Sequence, residues 1–304
     1  MILACGEALI DMLPRTSTEG ETCFAPYPGG AVFNTAIALG RLGAPTRFFS
    51  GLSSDLFGDI LRASLKASGV DASTAATSDR PTTLAFVTLV DGQASYAFYD
   101  ENTAGRMLTE SDLPTVEADA LFFGGISLPV EPCGAAYEAL MLREAPRKVT
   151  MIDPNIRAGF IRDEARYRAR LDRMIAVADI VKVSDEDLHW LLGEGEADAL
   201  AEGLLEKGPK LVCVTKGAEG ATGHTAAGRV DVASERVEVV DTVGAGDTFN
   251  AGILASLQEA GALTKERVAA LTEDEVRAAL SLGARAAAVT VSRAGANPPR
   301  KDEL

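Results

Sequence analysis

A carboxylate beside a glycine-rich turn is an uneasy neighbour for any anion the turn might bind, and the run Asp241-Thr242-Val243-Gly244-Ala245-Gly246-Asp247-Thr248-Phe249-Asn250-Ala251-Gly252 contains one. The segment Arg236 to Val240 reads as a strand before it, and Asp247 to Ala260 as an apolar helix after it. Gly244, Ala245 and Gly246 let a ligand come close to the backbone, and the first free N–H groups of the helix point back into the turn. Such a turn holds a phosphoryl group, with the helix dipole adding to the attraction. Asp247 would repel that anion, unless its task is to take the proton of an alcohol attacking phosphorus. The competing reading is a helix cap, for which Asp is a favoured residue. Positioning and local electrostatics supply most of phosphoryl-transfer catalysis, so one base beside an anion hole and a metal-bound nucleotide is sufficient equipment.

An earlier turn has similar features. Gly29-Gly30 permits a sharp entry into a helix spanning Val32 to Leu42, and Asn34, one turn in, offers both a donor and an acceptor to a polyol. Val32, Phe33, Ile37 and Leu42 also bury one face of that helix, whatever Asn34 does. Other nucleotide signatures are missing. The chain has no G-x-x-x-x-G-K-[ST] run and no G-x-G-x-x-G after its first strand, and Gly217, Gly220 and Gly223 fall between strands rather than at a strand-to-helix turn.

The elements that must position these turns alternate. Apolar runs at Ile2 to Met12, Thr46 to Leu52, Ala120 to Gly124, Lys148 to Asp153, Ile180 to Val183 and Leu211 to Thr215 read as strands. Helices fit Val32 to Leu42, Asp55 to Ser68, Glu131 to Glu144, Glu164 to Ala178, Asp185 to Leu192, Asp247 to Ala260 and Glu273 to Ala288. This order predicts a three-layer α/β fold around a mostly parallel sheet. Thr82 to Val90 and Ala94 to Tyr99 flank Asp91-Gly92, a tight-turn dipeptide, and read as a hairpin. With the loop-rich segment Leu13 to Pro28, the hairpin predicts a small antiparallel β lid, built from about 12–28 and 82–104 within one domain covering 1–304. Ala221 to Val239 reads as a further antiparallel segment.

Composition narrows the function. With 304 residues and 47% hydrophobic content the chain can bury a large core. A formal net charge of −15 without a basic cluster argues against nucleic acid and anionic membrane partners. The four cysteines lie far apart and read as reduced packing residues; with two histidines, this argues against a transition-metal site. The start of the chain lacks a secretory pattern and no apolar run reaches membrane-spanning length, which predicts a cytoplasmic protein. The terminal Lys301-Asp302-Glu303-Leu304 spells a retention address for a compartment that the chain has no signal to enter, and is taken as coincidence.

Asp241 to Leu254 resembles the carboxy-terminal signature of the ribokinase/PfkB carbohydrate kinase family, and Gly29-Gly30-Ala31-Val32-Phe33-Asn34-Thr35-Ala36 with Leu39-Gly40-Arg41-Leu42-Gly43 resembles the amino-terminal one. The resemblance implies a ribokinase-like fold and ATP-dependent phosphorylation of a sugar hydroxyl. It makes Asp247 the base and the Gly244-Ala245-Gly246 turn the anion hole, with Asp11, Gly29, Gly30 and Asn34 on the sugar. Asp153-Pro154-Asn155-Ile156-Arg157 resembles the D-x-N-x-R run of fructokinase-like members, which implies that Arg157 faces substrate or the transferred phosphoryl. Thr215, Lys216, Gly217 and Gly220 match the strand-end T-x-G-x-x-G beside ATP phosphates.

Ser184-Asp185-Glu186-Asp187 stands where many members have N-x-x-E near magnesium, so Ser184 is an expected nucleotide neighbour and Asp187 a magnesium candidate through water. Asp241, Val243 and Gly295 would correspond to a monovalent-cation site, for K+, built mainly from carbonyl oxygens. Tyr99 ends the lid strand and is expected to cover the sugar; relatives often form homodimers through such a lid. The stretch from Phe98 to Arg106, like Asp153 to Arg157, most resembles fructokinases, which makes D-fructose the first expectation. A 2-keto-3-deoxygluconate kinase is the alternative, with Arg106 for its carboxylate, followed by ribose, nucleoside and aminoimidazole riboside kinases. Outside this class stand a non-catalytic sugar or nucleotide sensor and a nicotinamide-dependent oxidoreductase, the latter disfavoured by the missing dinucleotide fingerprint.

Overall fold

Ile2-Leu3-Ala4-Cys5 carries no charged side chain, as a strand covered on both faces requires, and it forms β1 (Ile2–Cys5) inside the large sheet. The structure, a computed structural model, describes residues 1–90 and 93–304, so the expected Asp91-Gly92 turn lies outside the described residues. The strand expected from Ile2 to Met12 is interrupted. The chain turns at Gly6, where a Cβ would meet the Val32 side chain at 2.4 Å, and resumes as β2 (Leu9–Thr16) in a different sheet. The segment read as loop-rich is the strand pair of β2 with β3 (Thr22–Gly29), and α1 (Ala31–Arg41) follows directly.

β4 (Thr46–Phe49) and β5 (Gly51–Ser53) likewise divide one expected strand between two sheets, and β5 pairs with β6 (Ala76–Ser78) in a two-stranded parallel unit after α2 (Leu56–Ala67). The hairpin is β7 (Leu84–Val90) and β8 (Gln93–Tyr99). Beyond it come β9 (Ala120–Gly124), α3 (Cys133–Glu144), β10 (Val149–Asp153), α4 (Glu164–Val177), β11 (Ile180–Ser184), α5 (Asp185–Leu192), α6 (Ala197–Leu205) and β12 (Leu211–Thr215). The chain finishes through β13 (Ala221–Thr225), β14 (Gly228–Val232), α7 (Ala245–Glu259), the short α8 (Lys265–Val268) and α9 (Glu273–Val291). Helices α6 and α8 are additional to those expected from the sequence. The strand expected at Arg236 to Val240 is absent: this stretch is an exposed connection, and Val239 is 61% exposed.

The large sheet runs β14-β13-β12-β11-β10-β9-β1-β4, parallel from β12 to β4 and antiparallel at β13 and β14. Two separate cores cover its faces. One packs α1, α2, α7 and α9 against Ile2, Met151, Ile180 and Leu211; the other packs α3, α4, α5 and α6 against Leu3, Phe123, Val181 and Val212. Alternation along each strand divides these residues between the faces. Helices α7 and α9 meet where a Cβ on Gly252 would lie 2.4 Å from the Gly283 Cα, so only glycine lets them approach this closely. The smaller sheet, β3-β2-β7-β8, stands beside this body; its two outer pairings are antiparallel and the central β2–β7 pairing is parallel. Cys5, Cys133 and Cys213 are buried, whereas Cys23, expected as a packing residue, is exposed on β3. Among the described residues no helix is long and apolar enough to cross a membrane.

Candidate active site

A cleft of about 580 Å³ opens at the carboxyl ends of the parallel strands, where ligands of open α/β sheets bind, and the smaller sheet borders it. Asp11, Gly30, Asn34, Arg157, Val243, Gly244, Ala245, Gly246 and Asp247 all line it, so both glycine turns, more than 200 residues apart in sequence, face one space.

The later turn owes its shape to Gly244, which caps α7 at φ +79 and whose Cβ would meet the Ala296 Cβ at 2.7 Å. A side chain there would be strained twice, by backbone and by contact. Among the described residues the amides of Gly244, Gly246 and Asp247 have no hydrogen-bond partner, and the Ala245 N–H makes only a long 3.4 Å contact to Thr242 O. Asp241 secures the approach: its Oδ1 accepts from the Val243 amide at 3.0 Å and its Oδ2 from the Gly295 amide at 2.9 Å. The three residues proposed from sequence around a monovalent ion are thereby drawn together. The clasp uses a carboxylate and amides; the Gly295 carbonyl oxygen itself accepts from Asn297 N at 2.8 Å.

Asp247 is the third residue of α7 and is 8% exposed. It caps no amide of the helix; instead Asn34 Nδ2 donates to its Oδ2 at 2.9 Å, and Thr35 Oγ1 donates to its backbone carbonyl at 3.1 Å. Burial pushes its carboxyl up to about 7, against the opposing Asn34 hydrogen bond, with the Asp153 carboxylate raising and the Lys182 ammonium lowering it further. Asn34 therefore orients the carboxylate.

On the opposite side, Asp11 is the third residue of β2, paired with Tyr27 and Ala85 in the smaller sheet, rather than the end of the first strand. Burial raises its carboxyl to about 6. Gly29 does not line the cleft; a Cβ there would meet Asp11 Oδ2 at 2.2 Å, so it leaves room for that carboxylate. Tyr99, expected over the sugar, turns the other way. Neighbouring residues of a strand face opposite sides, so Phe98 lines the cleft, its ring 4.3 Å from Phe160, while Tyr99 is 63% exposed against Phe86.

The expected nucleotide residues lie farther along the same sheet edge. Ser184 and Thr215 end adjacent strands and pair in register, and the Thr215 hydroxyl donates to Val183 O at 3.4 Å. Gly217 and Gly220 both take positive φ in the turn that joins β12 to β13. Lys216 pairs with Asp198, whose Oδ1 lies 3.6 Å from its Nζ. Asp187 is held by two backbone amides. Its Oδ1 accepts from the Ile156 amide at 2.9 Å and its Oδ2 from the Ser184 amide at 3.2 Å, while Ser184 Oγ accepts from the Asp187 amide at 3.0 Å. This is a capping box in which each carboxylate oxygen takes one amide, at the carboxyl end of β11.

Two buried charged residues of the cleft, Glu7 and Lys182, were not singled out from sequence. Glu7 accepts from the Ala31 amide at 2.9 Å at the start of α1 and belongs to the turn that breaks the first strand. Lys182 sits in β11, inside an apolar run; a charged residue within a strand buried on both faces was the signal.

The fold and the convergence of both glycine turns agree with four similarities. The pfkB family carbohydrate kinase profile matches residues 1–303. A fructokinase of Rhizobium leguminosarum bv. trifolii is 61% identical over 279 residues, 91% of this chain and 86% of that protein. The crystal structure of a fructokinase with bound ATP from Xylella fastidiosa superposes with a TM-score of 0.89 at 29% identity, covering 97% of this chain and 93% of that one. A Vibrio cholerae O395 fructokinase with fructose, ADP and a calcium ion gives 0.84 at 26% identity, over 97% and 94%. With one such match running almost end to end, the chain belongs to the pfkB family of carbohydrate kinases.

Proposed function

We propose that the chain is a fructokinase that transfers the γ-phosphoryl group of ATP to the 6-hydroxyl of D-fructose, with Asp247 as general base. The observation that carries the mechanism is the meeting of Asp247 with three unpartnered amides at the start of one helix. As the hydroxyl oxygen bonds to phosphorus and the bond to ADP breaks, its proton passes to the Asp247 carboxylate. The amides of 244, 246 and 247 take the charge on the phosphoryl oxygens. A carboxyl held near 7 is close to the working pH, where a base is both available and basic enough.

Asn34 steadies the base, and Asp11 with the backbone at Gly30 binds the other hydroxyls of the sugar. Arg157, exposed at the cleft rim, approaches the transferred group as a planar cation. The adenine nucleotide lies along the strand ends at Ser184 and Thr215 and the turn at Gly217 and Gly220. Magnesium belongs with the ATP phosphates and water, and Asp187, whose carboxylate also caps α5, would meet it through a water. Potassium belongs beside the loops that Asp241 clasps, where it would neutralise charge behind the anion hole. The smaller sheet acts as a lid that keeps water from the phosphoryl group, and a second copy of the chain pairs with it. The whole assembly works in the cytoplasm.

The test is ADP release with fructose, 2-keto-3-deoxygluconate, ribose and adenosine as acceptors. Fructose is expected to give the highest kcat/KM. A higher value with another acceptor moves the substrate assignment, and sugar binding without ADP release under any condition replaces the kinase by a sensor.

A further inference from the structure

A lysine in the middle of a fully covered parallel sheet needs an explanation. Lys182 is 5% exposed, and its neighbour in register on β12 is Cys213. Its Nζ donates to Asp153 Oδ2 at 3.1 Å, and Asn250 Nδ2 of α7 donates to that same oxygen at 2.7 Å. Asp153 is thus fixed between the sheet and α7. The ammonium reaches the cleft beside the anion hole, 3.2 Å from where a Cβ on Gly246 would lie. Burying an amine is costly unless it is paired, and a well-packed apolar residue would serve stability at least as well.

We infer that Lys182 is a positioning residue for the reaction: its buried ammonium, fixed between Asp153 and the first turn of α7, keeps Asp247 in the proton-accepting form. The inference rests on Asp247 being the base. The charged groups around that base come from every side: Asp153 from β10, Glu7 from the turn after β1, Asp11 from β2, and Arg157 from the rim. Of these, Asp153 and Glu7 disfavour the ionised base, and Arg157 is exposed to solvent that screens it. Lys182 is the buried cation that lines the cleft, and it lowers the Asp247 carboxyl from where burial alone would leave it. The same pairing keeps Lys182 charged, since Asp153 raises its pKa against the effect of burial.

The experiment is the pH profile of kcat/KM for fructose in the wild type, Lys182→Gln and Lys182→Arg, with melting curves for each. The glutamine variant is expected to move the acid limb up by about one pH unit, a loss of about tenfold at pH 6 that shrinks as the pH rises. Arginine keeps the charge, and its limb stays near the wild-type position. A loss that a merely structural lysine would cause is uniform across pH, so a folded glutamine variant with an unmoved limb overturns the inference. If that variant does not fold, Lys182→Met serves instead: it removes the same charge with an apolar side chain of similar length, so its limb is also expected to move up, and an unmoved limb again overturns the inference. A wild type without an acid limb near pH 7, or an active Asp247→Asn enzyme, removes the base assignment itself.

Discussion

Asp247 is kept against the interests of stability, and this can be measured. In an unfolded chain its carboxyl titrates at the ordinary value near 3.8, and in the folded cleft at about 7. The folded state therefore holds the proton more tightly, so the protonated form supports folding at low pH, and that support is lost as the pH rises from about 4 to about 7. Asn at this position has no such loss. The variant Asp247→Asn is expected to lose at least about 10³-fold in kcat while retaining ATP and sugar binding. In thermal melts it should be more stable than the wild type at pH 8, by on the order of 2–4 kcal/mol, with the gap closing by pH 4. Equal stability at both pH values would mean that the side chain is not desolvated as described. For Asp11, which lines the cleft from β2, Asp11→Ala should raise the fructose Kd about tenfold or more with a smaller change in kcat if the proposed sugar contacts hold. An unchanged Kd by calorimetry takes Asp11 out of the sugar contacts.

The two glycine turns work only because of what stands behind them. Replacing Gly244 by Ala demands a left-handed residue with a side chain against Ala296. The expected result of Gly244→Ala is a turn pushed out of register, with the KM for ATP raised about tenfold and kcat lowered, read from initial rates at saturating fructose. This turn was readable in advance because its glycines and its carboxylate are a local pattern. The parallel sheet was readable for a related reason, since each strand is a short apolar run and most helices have a clear buried stripe. What could not be read were the divisions and the partners. Ile2 to Met12 and Thr46 to Leu52 are continuous in hydrophobicity, yet each passes from one sheet to another at a point fixed only by packing. The strand expected at Arg236 to Val240 had the right valines, but nothing in the fold pairs with it; Val240 and Asp241 bond instead to the end of α9 through Val291 O. Lys182 and Asp187 were hidden for opposite reasons: the first lies within an apolar strand, and the second has the spacing of a metal motif while serving as a cap.

The smaller sheet, proposed above as a lid, connects the cleft to the outer surface, and its two faces carry different chemistry. On the inner side Leu9, Asp11 and Phe98 face the cleft. Because the Phe98 ring meets Phe160 across the mouth, Phe98→Ala should leave the mouth open to water. Its ATP hydrolysis without sugar is expected to rise relative to fructose phosphorylation, and a ratio equal to the wild type would show that this contact does not close the site. On the other side Phe24, Phe86 and Tyr99 form a chain of edge-on ring contacts at 5.0 and 5.5 Å, with Phe24 37% and Tyr99 63% exposed. Strands β3 and β8 are the open edges of this sheet. An aromatic strip beside unpaired strand edges invites aggregation unless something covers it. The chain is otherwise strongly acidic, with a formal net charge of −15, so long-range repulsion opposes casual association and the covering surface must be apolar and complementary. A second copy of the same lid meets both conditions with one two-fold contact. Light scattering after gel filtration should therefore give about twice the chain mass of 31.8 kDa for the wild type. The double substitution Phe24→Asp with Tyr99→Asp should give the mass of one chain, while its fold, followed by far-UV circular dichroism, stays intact. A wild-type mass of 31.8 kDa at micromolar concentration would assign the aromatic strip to the single chain and remove the dimer.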